Sequence, residues 1–280
     1  MESGRLTASW ERILDVSNSC AHFLEFDRPA QRRTGISAGR FLCGALKEGG
    51  VAVAIATPRS TTGILAQLAR MGRDPVTVMQ SGELVLLDSA ETLSRFFHDG
   101  AVDAEQFDRT VGAAVRLAHE RANGAPLRAF GDMVGLLWQR GDRQAAVDLE
   151  RLWNSLQKSL GFALFCTYPI DVFGEEFGAE ELKGVFATHT HVFPSASSAD
   201  LGRVLDRAMD EMLGPQARDV RSRMSTRAGD VLAPMPKAEQ TILWLRTHLP
   251  DVAAAILNRA RELYEMGTPR VYLREEHSSA

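Results

Sequence analysis

The chain has 280 residues, a formal net charge of −4 and 45% hydrophobic residues, which is typical of a globular protein and argues against disorder along the whole chain. The slightly acidic balance gives no basic surface for nucleic acid, and the longest apolar runs fall well short of the roughly 20 residues that a membrane span needs. The three cysteines show no CxxC spacing and the first residues form no apolar signal region, so we expect a cytoplasmic protein with reduced thiols.

The predicted elements begin with an amphipathic helix over residues 1–20, followed by short apolar runs that alternate with helical patterns. Because the apolar runs are continuous and are separated by helices, they favour an α/β fold with a mostly parallel sheet between helices. Strands are predicted over residues 21–26, 51–57, 84–88, 127–132 and 162–168, and helices near residues 34–48, 59–72, 89–98, 103–122, 133–140 and 142–160.

The pattern changes after residue 195. Residues 194–198 are typical of a linker, and residues 200–266 show helical periodicity that Pro234, Pro236 and Pro250 interrupt. We therefore expect a helical lead-in at residues 1–20, an α/β domain at 21–195 and a helical C-terminal segment at 200–280 that serves output or dimerisation.

Polar residues at the ends of the predicted strands indicate where a ligand would bind. The carboxyl ends of parallel strands share one edge of the sheet, and open α/β sheets bind their ligands beyond that edge. Two of these residues have a second interpretation, which is a helix cap for Asp132, favoured by the sequence, and a rim tyrosine bonded to the backbone for Tyr168. The predicted ligand-binding residues are Thr57, Asp88, Asp132 and Tyr168, with Arg128 and His22 as further candidates.

Two motifs of catalytic proteins are absent or misplaced. Residues 25–35 contain one glycine and no GxxxxGK[ST], so the backbone cradle and the lysine that hold nucleotide phosphates are lacking. Residues 35–39 match the GxSxG pattern of hydrolases, but no buried strand precedes them, and a helix that is capped near Thr34 fits better. Both observations favour a protein that is not an enzyme.

The remaining candidates for chemistry are a close histidine pair and a cysteine. His189 and His191 have the spacing of ligands on a strand or loop, but no cysteine or HExxH glutamate stands beside them, so structural histidines are favoured over a metal site. Cys166 lies in an apolar run and is interpreted as a small hydrophobic residue rather than a nucleophile. The sequence identifies no cofactor.

Seven stretches of the sequence follow one another along the chain: HFLEF at residues 22–26, GGVAVAIATP at 49–58, SGELVLLDSAETL at 81–93, RAFGDMVGLLW at 128–138, LERLWN at 149–154, FCTYP at 165–169 and HTHVFP at 189–194. Taken together, they resemble the MEDS sensory domain family, named for methanogens, methylotrophs and the DcmR regulator. The resemblance covers roughly residues 20–195 and depends on the ordered series, since no single stretch is specific.

The resemblance implies a RecA/KaiC-like fold that has lost its phosphate loop, and a sensor of small, often hydrocarbon-derived molecules. The chain shows no helix-turn-helix with a basic recognition helix and no kinase motif. We therefore predict a sensory or regulatory protein of signal transduction or transcriptional control. Its partners would be a small-molecule ligand, a protein bound through residues 200–280 and a second copy of the chain, without direct contact to nucleic acid or membrane.

Two alternatives to this prediction stay open. The chain could act as an interaction module through its C-terminal helices, with the polar strand ends serving as caps. It could also be a residual enzyme that depends on a nucleotide, or on a metal held by His189 and His191.

Overall fold

The computed structural model describes residues 20–26, 35–193, 198–226 and 235–267. The predicted lead-in helix, the cap at Thr34 and most of the predicted linker lie outside these residues. The chain divides after residue 195 into two compact units, an α/β unit and a helical unit, with Met235 grouped with the α/β unit.

The α/β unit contains a six-stranded sheet and a short hairpin. The sheet strands are β1 (His22–Phe26), β2 (Val51–Ala56), β3 (Leu84–Asp88), β6 (Leu127–Gly131), β7 (Ala163–Tyr168) and β8 (His191–Val192), and the hairpin strands are β4 (Phe97–His98) and β5 (Ala101–Val102). The order is β3-β2-β6-β7-β1-β8, and every pair in it is parallel. The predicted α/β class is confirmed, and the five predicted strands end within one residue of the observed ends.

Helices connect these strands. They are α1 (Ile36–Lys47), α2 (Pro58–Arg70), α3 (Pro75–Gln80), α4 (Ser89–Ser94), α5 (Ala104–Phe107), α6 (Ala113–Ala122), α7 (Met133–Arg140), α8 (Arg143–Leu160) and α9 (Lys183–Thr188). The predicted helix 103–122 is broken by a π-helical turn over Asp108–Gly112, and the predicted helix 89–98 ends early where the hairpin begins. Sequence periodicity missed α3, α9 and β8 because they are too short to show a period.

The continuous apolar run of β2 is explained by its place in the sheet. All six of its residues are buried, and both α1 and α6 pack on β2 and β6. Helix α1 lies in the crossover from β1 to β2, and helix α6 lies in the crossover from β3 to β6. These two crossovers run in opposite directions across the sheet. Because parallel crossovers are right-handed, the two helices lie on opposite faces. A strand covered on both faces has no side that favours polar residues.

Aromatic side chains fill the core on both faces. On the α1 side, Phe23 stacks on Phe193 with ring centroids 4.7 Å apart, and Phe165 meets Phe193 edge-on. On the α8 side, Trp138 and Trp153 are buried. Glycines in the left-handed conformation end two helices of this side, Gly141 after α7 and Gly161 after α8.

The helical unit consists of α10 (Ser198–Leu213), α11 (Ala217–Thr226), α12 (Lys237–His248) and α13 (Pro250–Gly267). Pro236 is the N-cap of α12 and Pro250 is the first residue of α13, which confirms two of the predicted breaks; Pro234 lies outside the described residues. Helices α10 and α13 pack together. Within the described ranges, no helix has the length and apolar character that crossing a membrane requires.

The strand order creates a topological switch point between β2 and β6. From β2 the chain continues through α2 to β3 on one side, whereas from β6 it continues through α7 and α8 to β7 on the other side. Because parallel crossovers are right-handed, these connections leave on opposite faces of the sheet. Such a divergence opens a crevice beyond the carboxyl ends of the two strands, where α/β proteins bind ligands.

Candidate functional site

Three polar residues meet at the switch point and are called the edge cluster: Thr57, Ser89 and Asp132. Thr57 follows β2 and Asp132 follows β6. The Asp132 carboxylate accepts hydrogen bonds from the Thr57 amide at 3.0 Å to each oxygen, from the Thr57 hydroxyl at 2.8 Å and from the Ser89 hydroxyl. The structure thus brings Thr57 and Asp132 together, and Ser89 is an addition that the sequence analysis missed.

The interpretation of Asp132 as a helix cap is only half right. Asp132 occupies the N-cap position of α7, but its side chain makes no capping hydrogen bond. The reason is that Thr57 and Ser89 already engage the carboxylate, which is 7% exposed. Thr57 in turn caps α2 by accepting a hydrogen bond from the Ser60 amide at 3.4 Å.

Two other predicted ligand-binding residues have structural contacts of their own. Asp88 is the N-cap of α4, and its side chain accepts a hydrogen bond from the Glu91 amide at 2.9 Å. Arg128 lies near the amino end of β6, away from the edge cluster at the carboxyl end of the same strand. It is 2% exposed and donates to the Phe41 carbonyl at 2.9 Å. The structure thus does not bring Arg128 together with Thr57 and Asp132.

A second group of polar side chains lies between the sheet and helix α8 and is called the buried cluster: His22, Glu150, Cys166 and His189. All four residues are buried, and four potential ligand atoms, one from each, lie within 4.8 Å of one another. The Glu150 carboxylate is central, with Oε2 at 3.3 Å from His22 Nε2 and Oε1 at 3.2 Å from His189 Nε2. Cys166 Sγ lies 3.3 Å from His22 Nε2 and 3.5 Å from Glu150 Oε2.

Local structure explains how these residues meet. His22 begins β1 and Cys166 lies in the adjacent strand β7, where parallel pairing aligns His22 with Leu164 and Leu24 with Cys166. Glu150 stands on the buried face of α8, and His189 immediately follows α9. The cluster therefore ties four separate elements together across one face of the sheet.

Surrounding groups orient both imidazole rings and the carboxylate. His22 Nδ1 lies 2.9 Å from the Thr188 carbonyl and 2.9 Å from Asn154 Oδ1, while His189 Nδ1 lies 2.7 Å from the Val185 carbonyl. The Tyr168 hydroxyl donates to Glu150 Oε1 at 3.0 Å. Tyr168 is thus a fully buried member of this polar network, which corrects its interpretation as a rim residue bonded to the backbone.

Burial sets the protonation of the neighbouring groups. It lowers the pKa of His22 from 6.5 to about 3, helped by His189 and opposed by Glu150. Burial, together with the Glu150 carboxylate, raises the pKa values of the Cys166 thiol and the Tyr168 hydroxyl well above their usual range. Burial also raises the pKa of Glu150, but the two imidazoles and the Tyr168 hydroxyl outweigh it and bring the pKa below its usual range.

The two predicted histidines have different environments. His189 belongs to the buried cluster, whereas His191 is half-buried in β8, with its ring 5.4 Å from that of Phe23 and its Nδ1 2.9 Å from the Thr190 hydroxyl. The nitrogen, oxygen and sulfur atoms of the buried cluster are the ligand types that transition metals prefer. Cys166 is therefore more than a small hydrophobic residue, because its thiol contacts both an imidazole and a carboxylate.

The comparison with family models identifies the α/β unit. The model of the MEDS domain, described as the methanogen/methylotroph, DcmR sensory domain, matches residues 28–190, which is more than half of the chain. No curated protein matches the chain. The matched range includes the edge cluster and all of the buried cluster except His22.

Proposed function

Because the chain belongs to the MEDS family of sensory domains, we propose that it senses a small molecule bound in the crevice between the carboxyl ends of β2 and β6. The observation that carries this proposal is the coincidence of the switch point with the edge cluster. Thr57 and Asp132 follow the two diverging strands and are joined by hydrogen bonds of 2.8–3.0 Å. Diverging strands are the place where α/β folds bind ligands.

The chemistry of the edge cluster favours a ligand with a hydroxyl or amine group. Asp132 orients the Thr57 hydroxyl by accepting its hydrogen at 2.8 Å, which leaves that hydroxyl oxygen able to accept a hydrogen bond from a ligand. Thr57 is half-buried at the start of α2, so a ligand can approach it from the open side of the crevice. The proposed site does not include Arg128, His22 or Tyr168. Arg128 and His22 are buried elsewhere, and the Tyr168 hydroxyl donates its hydrogen to Glu150.

The proposed role is binding rather than catalysis, in a signalling or transcriptional pathway of the cytoplasm. The missing phosphate loop after β1 supports binding without nucleotide hydrolysis. All three cysteines are free, and two of them are buried, which suits a reducing compartment.

The helical unit is the proposed output, through a protein partner or a second copy of the chain. It exposes large apolar side chains, with Met212 at 47% and Met266 at 69% exposure. Ligand binding would control this output only if the two output states differ in ligand affinity.

The test is thermal unfolding of the full chain in a panel of C1–C4 alcohols and alkylamines. A compound that binds the folded state raises Tm, by an amount equivalent to about 2.7 kcal/mol at 100 times its Kd. We expect Asp132→Ala to abolish this rise. Asp74→Asn is the matched control, because Asp74 caps α3 outside the edge cluster and asparagine preserves a cap.

Two outcomes would count against the proposal. A panel compound that still raises Tm in Asp132→Ala would place its site elsewhere. A chain that responds to no compound, but binds a partner protein through residues 200–280, would favour the interaction module.

A further inference from the structure

The Glu150 carboxylate of the buried cluster accepts hydrogen bonds from the Cys166 thiol and the Tyr168 hydroxyl, but the two imidazoles beside it direct their hydrogens elsewhere. His189 Nδ1 lies 2.7 Å from the Val185 carbonyl, and His22 Nδ1 lies 2.9 Å from the Thr188 carbonyl. A carbonyl can only accept, so each Nδ1 carries the hydrogen. In a neutral ring the other nitrogen, Nε2, then presents a bare lone pair.

Both bare nitrogens face the same carboxylate. His22 Nε2 lies 3.3 Å from one Glu150 oxygen and His189 Nε2 lies 3.2 Å from the other. His189 Nε2 is buried and has no hydrogen-bond partner. A metal cation among these converging lone pairs would relieve their mutual repulsion, which water does not screen in a buried space.

The separations of these atoms fit a tetrahedral metal site. In a zinc centre with bonds of about 2.0–2.1 Å to nitrogen and oxygen and about 2.3 Å to sulfur, ligand atoms lie about 3.3–3.6 Å apart. The distances from Glu150 to the two imidazoles and from Cys166 to His22 and Glu150 are 3.2–3.5 Å. Four potential ligand atoms of the cluster lie within 4.8 Å of one another, so a modest contraction completes the tetrahedron.

The charges also balance. A divalent ion bound by one carboxylate, one thiolate and two neutral imidazoles has no net charge, which a fully buried site requires. Binding converts the Cys166 thiol to the thiolate and releases its proton to solvent.

The outer groups match those of a metal site as well. Each imidazole of a typical zinc centre donates its second N–H to a carbonyl or carboxylate, which fixes the ring. Here the Val185 and Thr188 carbonyls serve that role, with Asn154 beside Thr188. The Tyr168 hydroxyl orients the carboxylate through Glu150 Oε1.

From these observations we propose that the buried cluster binds one zinc ion through its two Nε2 atoms, its sulfur and one carboxylate oxygen. The ion links β1, α8, β7 and the residue after α9. It thereby connects His22 and His189, which are 167 positions apart in the sequence. This site is separate from the edge cluster, so it holds or fails independently of the proposed sensing function.

The first experiment is a cobalt titration of the untagged full chain after removal of metals with a chelator. Circular dichroism verifies that the chelated protein is folded. We expect one Co²⁺ per chain, visible d–d bands of a tetrahedral centre and a near-ultraviolet thiolate-to-cobalt charge-transfer band, all of which one equivalent of Zn²⁺ displaces. A folded wild-type chain without this band, and without a rise in Tm on addition of Zn²⁺, would overturn the proposal.

Matched variants locate the ion. Cys166→Ser should lose the charge-transfer band, while Cys43→Ser, which changes another buried and free cysteine, should keep it. His189→Gln should weaken Zn²⁺ binding severely, while His191→Gln, two residues away and outside the cluster, should leave it unchanged. Equal effects within either pair would place the ion at another site and contradict the assignment.

A milder variant tests the outer groups without removing a ligand. Asn154→Ala removes the side chain beside His22 Nδ1, and we expect it to weaken Zn²⁺ binding by about 10–100-fold while the cobalt spectrum keeps its tetrahedral form. An unchanged affinity would contradict a role for Asn154 in orienting His22 and would leave that role to the Thr188 carbonyl. The rival arrangement is a metal-free cluster held by its internal hydrogen bonds alone, and a protein of that kind would fail the wild-type titration.

Discussion

The edge cluster and the buried cluster each contain one carboxylate, but what surrounds the two carboxylates is opposite. Asp132 in the edge cluster is met by an amide and two hydroxyls, all of which bring hydrogens. Glu150 in the buried cluster accepts hydrogens from the Tyr168 hydroxyl and the Cys166 thiol, but it also lies beside two imidazole nitrogens whose rings direct their hydrogens elsewhere. The same chemical group, a carboxylate, is therefore fully hydrogen-bonded in the edge cluster, whereas in the buried cluster its surroundings favour a cation.

The positions of the two clusters suit different roles. The edge cluster lies at the mouth of a crevice, with Thr57 half-buried, so a ligand can enter and leave. In the buried cluster all four residues are buried, so an ion bound there would exchange slowly and act as a resident part of the fold. This contrast predicts that variants in one cluster leave the response of the other intact.

The largest expected effect is that of zinc on stability. At free Zn²⁺ of 1,000 times its Kd, we expect the free energy of unfolding of the wild-type chain to rise by about 4 kcal/mol. Glu150→Gln should lose most of this gain, because an amide oxygen is a poor ligand for zinc and the charge balance is broken. Urea unfolding with and without Zn²⁺ measures both. Asp148→Ala, on the same helix but in a surface ion pair with Arg151, should keep the gain and cost less than about 1 kcal/mol.

Asp132→Ala should have the next largest effect. It removes the acceptor for the Thr57 amide, the Thr57 hydroxyl and the buried Ser89 hydroxyl, and we expect a loss of about 2–3 kcal/mol in the free energy of unfolding. The gain in stability from Zn²⁺ should persist in this variant. A loss of the zinc effect would show that the two clusters are coupled and would break the comparison.

Tyr168→Phe should lower the free energy of unfolding by about 1.5–2 kcal/mol, because the hydroxyl donates to a charged acceptor. The ring stays in place, edge-on to Trp138. We expect the response to alcohols and alkylamines to be unchanged, since the hydroxyl belongs to the buried cluster. A weaker thermal shift with those compounds would return Tyr168 to the ligand site that the sequence suggested.

The sequence predicted the edge cluster far better than the buried cluster, for a physical reason. Strand ends are visible as the last residues of apolar runs, and parallel strands bring their carboxyl ends to one edge whatever their order. Thr57 and Asp132 could therefore be placed together without knowing which strands are neighbours. Ser89 was missed because it starts a helix, after the strand has ended.

The buried cluster depends on strand order and register, which the sequence does not show. His22 and Cys166 meet only because β1 pairs with β7, although more than 100 residues separate the two strands along the chain. One signal was present, since Glu150 occupies an apolar position of α8, beside Leu149 and one turn before Trp153. A charged residue on the buried face of a helix requires polar partners. The partners of Glu150 lie in the FCTYP stretch, as Cys166 and Tyr168, and in the HTHVFP stretch, as His189.

The smallest expected effect is that of Asp88, and it decides how far the edge cluster extends. The sequence placed Asp88 among the ligand-binding residues, whereas in the structure its carboxylate caps α4 through the Glu91 amide. If the side chain serves only as a cap, Asp88→Ala should cost about 1 kcal/mol of unfolding free energy, and Asp88→Asn, which preserves a cap, should cost less. Both variants should retain the full thermal shift with the alcohol or amine that Asp132→Ala abolishes. A reduced shift in Asp88→Asn, where the cap is kept and the charge is lost, would instead extend the ligand site from β2 and β6 to the end of β3.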